Sequence, residues 1–284
     1  MTSPRTLLSA WNLHPKKQLG QNFLAEPSTA RMIIERAGIG PEDVILEIGS
    51  GLGALTIPAA AAAARVTAVE TDRQIADLLK TELLAARIDN VTILRESILN
   101  VDIKALAPGD GRKLMVIGNL PYNISSQILV GLIRARAVLS RAVVMFQKEL
   151  ADRLTAGPGS KVYGRITVML AYCAEIKTIA TIKERMFYPR PKVDSEVLEI
   201  RFRDKIERLA QDEALLFKVI QAAFGKRRKT LKNALSQSQL GLDGVTAAKA
   251  LELAAIDPVR RAETLEVDEF VRLSDSVGTC LFCP

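Results

Sequence analysis

The stretch Val44-Ile45-Leu46-Glu47-Ile48-Gly49-Ser50-Gly51-Leu52-Gly53-Ala54-Leu55-Thr56 decides the fold. Its first five residues read as a short, mostly apolar strand, and an Ala-rich segment after the glycines reads as a helix. Strand, glycine loop and helix make a nucleotide-binding opening, because glycines let backbone N–H groups approach a ligand closely. Taken as G-x-G-x-x-A, Gly49, Gly51 and Ala54 would pass for a dinucleotide fingerprint. Two details oppose that reading. Glu47 would repel a pyrophosphate yet could hydrogen-bond an ammonium, and glycines at 49, 51 and 53 make a different spacing. Glu70 closes the next strand, Val66-Thr67-Ala68-Val69-Glu70, where a carboxylate can accept both hydroxyls of a ribose.

Further apolar runs at 91–94, 114–118, 142–147, 174–182 and 196–202 alternate with helical patterns. The alternation predicts an α/β fold, a seven-stranded, mostly parallel Rossmann-like sheet with helices on both faces. Too little chain separates the last two strands for a helical crossover, so the last strand is expected to be antiparallel.

The run Leu114-Met115-Val116-Ile117-Gly118 leads into Asn119-Leu120-Pro121-Tyr122-Asn123-Ile124-Ser125-Ser126. In open α/β sheets ligands bind beyond the C-terminal ends of the strands. There, the Asn119 side-chain oxygen and the Leu120 carbonyl can each accept a hydrogen of an exocyclic amine on a planar base. Pro121 fixes the turn, and Tyr122 offers a stacking face. An isolated N-x-P-Y is more often a strand-end turn with a half-buried Tyr; Glu70 and the glycine loop tip the balance. A cofactor with a ribose, an amino-acid head and no phosphate is S-adenosylmethionine.

From about residue 14 to residue 274 the chain resembles the ribosomal RNA small-subunit adenine dimethyltransferases. The resemblance rests on the motifs above and on four others. These are Lys17-Gln18-Leu19-Gly20-Gln21-Asn22-Phe23-Leu24, Gln147-Lys148-Glu149, Phe187-Tyr188-Pro189-Arg190-Pro191-Lys192-Val193-Asp194-Ser195 and Arg227-Arg228-Lys229-Thr230-Leu231. It implies an S-adenosylmethionine-dependent methyltransferase that dimethylates N6 of two adjacent adenines near the 3′ end of 16S rRNA, in the small subunit or its precursor. It also implies that Asn22 and Leu24 close over the methionine end of the cofactor, that Gly49 and Gly51 approach it by backbone, and that Glu70 holds the ribose. Phe187 would stack on the face of the adenine opposite Tyr122, or else is plain core. One departure stands out. Where the family usually places an Asp that contacts the cofactor adenine, this chain has Ser97 with Glu96 just before it. Glu96 is favoured, because a carboxylate accepts more strongly from an amine.

The implied organisation is a flexible leader over 1–20, a methyltransferase domain over 21–204, a helical rRNA-binding domain over 205–275 and a tail over 276–284. Phe217, Ile220, Phe224, Leu231 and Leu235 form an apolar helical stripe broken by Gly225, with Lys226, Arg227, Arg228, Lys229 and Lys232 off it. Residues 206–284 carry 11 basic and 11 acidic side chains, so gathering five basic ones within seven positions looks arranged for phosphate rather than for solvation alone. Lys161 and Arg165, beside the loop Gly157-Pro158-Gly159-Ser160, are either further phosphate contacts or solvated.

A formal net charge of +7 suits a polyanionic partner. His14 is the only histidine, which argues against a Ser-His-Asp triad or a His-rich metal site, and no metal is expected. Three cysteines make no disulfide framework, and Cys280 and Cys283 read as a frayed end rather than a metal or redox pair. No run is long enough to span a bilayer and the N-terminus lacks a signal-peptide core, so a cytoplasmic monomer is expected. Two rivals remain: a large-subunit rRNA adenine dimethyltransferase of the antibiotic-resistance type, and a non-catalytic nucleic-acid-binding relative.

Overall fold

The structure, a computed structural model, describes residues 2–282. Nine strands run in chain order: β1 (Phe23–Leu24), β2 (Val44–Ile48), β3 (Arg65–Val69), β4 (Val91–Leu94), β5 (Leu114–Asn119), β6 (Leu139–Gln147), β7 (Ala174–Ile182), β8 (Phe187–Tyr188) and β9 (Ser195–Phe202). Seven form one sheet in the order β4-β3-β2-β5-β6-β9-β7, and β1 pairs with β8 in a small antiparallel ribbon. The pairs β2–β3, β3–β4, β2–β5 and β5–β6 are parallel, whereas β9 runs antiparallel to β6. The expected Rossmann-like sheet with an antiparallel last strand is therefore present.

Strand order places the site. The large sheet starts at β2, builds outward through β3 and β4, then returns to β5 on the other side of β2. That reversal opens a crevice beyond the C-terminal ends of β2 and β5, where the glycine loop and the Asn119 turn both emerge. Gly118 lets the two strands converge: a Cβ there would lie 2.5 Å from the Ile48 carbonyl oxygen.

Eleven α-helices complete the described residues: α1 (Pro4–Ala10), α2 (Pro27–Ala37), α3 (Thr56–Ala62), α4 (Arg73–Ala85), α5 (Ser125–Ala135), α6 (Lys148–Leu154), α7 (Arg165–Cys173), α8 (Glu213–Phe224), α9 (Leu231–Ser236), α10 (Gly244–Leu253) and α11 (Val267–Phe282). Alternate strand residues Ile45, Met115, Ile117, Val143 and Met145 bury against Ile33 and Ile34 of α2 and Ala59 and Ala60 of α3. Ala68 of β3 packs with Leu79 and Leu83 of α4. The other parity, Leu46, Val116, Val144 and Leu198, is equally buried, so the second face is covered too. Burial on both faces explains why these parallel strands are continuous apolar runs rather than alternating ones.

The chain divides into two compact units, one comprising residues up to Ala151 with Ile176–Phe202, the other Asp152–Glu175 with the residues from Arg203 onward. A single boundary at 204 is thus corrected: α7 belongs to the helical unit. Its Tyr172 ring meets Phe217 of α8 edge-on at 6.2 Å, and Tyr163 just before it meets Phe224 at 6.1 Å. The leader is corrected as well. Residues 4–10 form α1, capped by the Ser3 side chain, and Leu7 and Leu8 pack with Phe23, Leu52, Ile75 and Leu78. At the other end, α11 continues through the expected tail, with Val277 buried. Cys280 lies near its end and is half-buried, and Cys283 falls outside the described residues.

Candidate active site

The crevice is lined by three segments of the sheet-bearing unit: the strap 18–24, the glycine loop with Glu47, and the turn at Asn119, Pro121, Asn123 and Ile124. Glu70, Thr71 and Ser97 to Leu99 close its far side.

Glu70 directly follows β3 and is buried, accepting backbone hydrogen bonds from Gly51 (2.9 Å) and Asp72 (2.9 Å). Burial raises its pKa, and those N–H donors oppose the shift. The carboxylate therefore pins the glycine loop, and its residual acceptor capacity is available to ribose hydroxyls. Gly49 and Gly51 adopt φ of 73° and 52°, a left-handed backbone that disfavours a side chain.

Glu47 is 1% exposed, and its Oε2, like the Ser50 hydroxyl, is buried without a hydrogen-bond partner. Burial pushes its carboxyl up to about 8, the Thr56 hydroxyl beside it opposing and the Glu70 charge adding. An orphaned carboxyl beside a nucleotide-type loop is a costly arrangement. A ligand bearing an ammonium would satisfy it, and a phosphate would not. The donor set therefore fits S-adenosylmethionine: Glu47 toward its ammonium, Glu70 toward its ribose, glycine backbone between.

Asn119 sits at the last position of β5. Its Nδ2 donates to the Asn22 carbonyl at 2.7 Å, which turns Oδ1 the other way, free to accept from an amine. Leu120 is buried and its N–H is directed to the Met145 carbonyl. The Tyr122 hydroxyl lies 3.1 Å from the Ser195 Oγ at the start of β9, so the ring is anchored at its tip. Burial raises its phenol pKa.

Phe187 and Glu96 stand outside the residues that line the crevice. Phe187 is 4% exposed and packs in the core with Leu24, Met145 and Val197. It lies in β8 opposite Leu24 of β1. Glu96 is exposed, and its Oε1 accepts from the Ser97 N–H (2.8 Å) and the Asn100 Nδ2 (2.9 Å), which lower its pKa. Its Oε1 is turned to its own loop, and Ser97, Ile98 and Leu99 form the wall where a cofactor adenine would lie. Leu99, an exposed apolar side chain on that wall, carried no local signal in the sequence.

Asn22 lines the crevice, its own amide donating to the Gly20 carbonyl, and Leu24 is buried beside it. The strap is tied on both sides. Asn123 Nδ2 donates to the Gln18 carbonyl at 3.2 Å, while Gln21 Nε2 and Lys16 Nζ reach Asp72 Oδ2 at 3.0 and 2.9 Å. Burial alone would raise the Asp72 carboxyl, but hydrogen bonds from Lys16 and Gln21 outweigh it and hold the group low. Asp72 carried no signal of its own beyond that of a helix N-cap.

In the helical unit, Lys226, Arg227, Arg228 and Lys229 are exposed and lie on the turn between α8 and α9; only Lys232 is helical. The break expected at Gly225 is present: the chain leaves α8 there and re-enters a helix at Leu231, so four of the five basic residues lie between the helices. Lys226 Nζ donates to Gln237 (2.7 Å), and Arg227 donates to the Lys161 carbonyl.

Two consequences can be measured. Glu70→Ala is expected to weaken S-adenosylmethionine binding by about 1.5–3 kcal/mol, the scale of hydrogen bonds to a charged group. Unchanged affinity by calorimetry would put the ribose elsewhere. In the same titration, Ser97→Ala should weaken binding more than Glu96→Ala, and the reverse order would return the adenine contact to Glu96.

A profile of the family described as Ribosomal RNA adenine dimethylase matches residues 12–278. A protein of Desulforapulum autotrophicum named Ribosomal RNA small subunit methyltransferase A is 50% identical, over 98% of this chain and 97% of its own. A protein of the same name from Magnetococcus marinus is 42% identical, over 96% and 95%. Among solved structures, a dimethyladenosine transferase from Plasmodium falciparum aligns with a TM-score of 0.72 at 24% identity, over 88% of this chain and 95% of that one. The 23S rRNA methyltransferase ErmE aligns with a TM-score of 0.65 at 24% identity, over 90% and 99%. These two structural likenesses bear on the fold.

Proposed function

Because the chain belongs to the ribosomal RNA adenine dimethylase family, we propose that it dimethylates N6 of two adjacent adenines near the 3′ end of 16S rRNA. S-adenosylmethionine is the donor, and the small subunit or its precursor is the substrate. Relatives at 50% and 42% identity named for the small subunit favour that target over 23S rRNA. The single observation that carries the chemistry is the Asn119 amide, oriented by the Asn22 carbonyl so that its oxygen is free at the crevice.

Bound in the crevice, S-adenosylmethionine supplies a methyl group on a sulfonium. The protein's residues supply position. Glu47 and Glu70 hold the ammonium and ribose, Asn22 and Leu24 the methionine end, Gly49 and Gly51 the backbone contacts, and Ser97 the adenine. Asn119 Oδ1 and the Leu120 carbonyl accept the N6 hydrogens of the target base. Those hydrogen bonds turn the nitrogen lone pair out of the ring plane, toward the methyl. Tyr122 stacks on the base, worth about 1–3 kcal/mol against the cost of extracting it from RNA. In-line positioning can account for most of the acceleration without a strong base.

Tritiated methyl transfer to separated small and large subunits from a strain lacking this modification tests the reading. Label in N6,N6-dimethyladenosine of 16S rRNA supports it. Label only in large subunits, or none, would replace it with one of the two rivals.

RNA is held by Lys226, Arg227, Arg228, Lys229 and Lys232, in a monomer acting where subunits are assembled. Replacing Arg227, Arg228 and Lys229 together by Gln should weaken subunit binding and flatten its salt dependence, leaving cofactor affinity unchanged. Binding as tight as wild type at every salt concentration would make the cluster an ordinary solvated turn.

A further inference from the structure

We infer that Asp72 is a positioning residue for methyl transfer: by fastening the strap through Gln21 and Lys16, it holds the Asn22 carbonyl where that carbonyl orients the Asn119 amide. The inference rests on the base-binding role of Asn119 proposed above.

Asp72 stands at a junction. Its backbone N–H donates to Glu70 Oε1, and its Oδ1 caps α4 by accepting from the Gln74 N–H at 3.2 Å. Its Oδ2 takes two strap donors, Gln21 Nε2 at 3.0 Å and Lys16 Nζ at 2.9 Å. Gln21 is itself fixed, because its Oε1 accepts the Lys16 N–H at 2.7 Å. Its neighbour in sequence is Asn22, whose carbonyl receives Asn119 Nδ2. One buried carboxylate thus links the ribose-side corner to the residue that faces the base. An amide at the end of a strand has two orientations, which exchange its donor and acceptor. Only a fixed external acceptor selects the one with Oδ1 toward the substrate. A strap displaced from Asp72 would carry the Asn22 carbonyl away and leave the Asn119 orientation unselected.

The pattern of donors supplies a test that separates positioning from folding. In Asp72→Asn, the remaining side-chain oxygen can keep the α4 cap, but the new amide nitrogen then meets two donors, so the latch breaks. Adding Gln21→Glu reverses the polarity. The amide introduced at position 72 then donates to the carboxylate introduced at position 21, which still accepts the Lys16 N–H and pairs with its ammonium. At saturating S-adenosylmethionine, Asp72→Asn should lower single-turnover methyl transfer by about 10- to 100-fold, the cost of a misplaced reacting group. The double variant Asp72→Asn/Gln21→Glu should recover most of it. Wild-type turnover in Asp72→Asn overturns the inference. So does a loss of cofactor affinity alone, or a double variant no faster than the single one, which would leave Asp72 a structural cap. Asn119→Ala, run alongside, separates the two claims: normal turnover there would remove the base-binding reading and the inference with it, whereas impaired turnover there beside an unrescued Asp72→Asn would overturn the inference alone.

Discussion

Asn119→Ala is expected to cut methyl transfer by about 100- to 1000-fold, the range seen when one preorganised polar contact to a reacting group is removed. The effect should fall on turnover. The cofactor contacts proposed for Glu47, Glu70 and the glycine backbone do not involve this side chain, so S-adenosylmethionine affinity should move little. Asn119→Asp sharpens the case. It retains an acceptor, but sets a carboxylate oxygen against the Asn22 carbonyl, which now receives a hydrogen bond at 2.7 Å. It should therefore fail to restore activity. Wild-type turnover by Asn119→Ala would exclude the amide from the chemistry.

The second large effect concerns Glu47, which replacement by Gln should render more stable and less able to bind. Its carboxyl, pushed up to about 8 by burial, holds a proton in the folded state that the unfolded chain releases near its ordinary value. Below the unfolded value the stability is complete. As pH rises from there through about 8, the unfolded state binds fewer protons, and stability is lost progressively. Glu47→Gln abolishes this loss, so its melting temperature without cofactor should exceed that of wild type by a margin that widens over the same interval. Binding behaves oppositely. The ammonium of S-adenosylmethionine needs the ionised carboxylate, so wild-type affinity should climb toward pH 8 and fall above it as the amino group deprotonates, ordinarily at about 7.7–8.0. Glu47→Gln should lack the rising limb and bind about 10- to 100-fold more weakly near pH 8, from the loss of about 1.5–3 kcal/mol. A wild-type affinity independent of pH between 6 and 8, measured by titration calorimetry at about unit intervals, would detach Glu47 from the ammonium.

Much of the site was legible because it is local. The glycine loop, Glu70 and the Asn119 turn each sit at a strand end, and apolar runs of five or six residues mark those strands without knowledge of what covers them. The mostly parallel sheet was implied by the alternation of apolar runs with helical patterns, and the antiparallel β9 by the short chain before it. What escaped depends on distant partners. Leu7 and Leu8 look like leader residues until Phe23, Leu52 and Ile75 are placed against them. Phe187 reads from sequence as ring stack or core, and its burial with Leu24, Met145 and Val197 depends on strands far away in the chain. Glu96 is the stronger acceptor by chemistry, yet Ser97 rather than Glu96 lines the crevice, a matter of one residue's phase in a loop. The basic cluster was visible as composition, but not as a turn, because the apolar stripe resumes in phase beyond Gly225.

The helical unit draws on two separate lengths of chain, Asp152–Glu175 and the residues from Arg203 onward, and this bears on vectorial synthesis. As the polypeptide leaves the ribosome, Tyr163 and Tyr172 emerge well before Phe217 and Phe224, the rings they meet. The aromatic Phe270, stacked on Phe224 at 5.8 Å, comes later still. Until then α7 has an apolar surface with no lasting mate, an invitation to nascent-chain chaperones and to aggregation. A protein shortened to the sheet-bearing portion by a stop after Phe202 would carry that surface permanently. The portion can be isolated cleanly only by also excising 152–175 and bridging the gap.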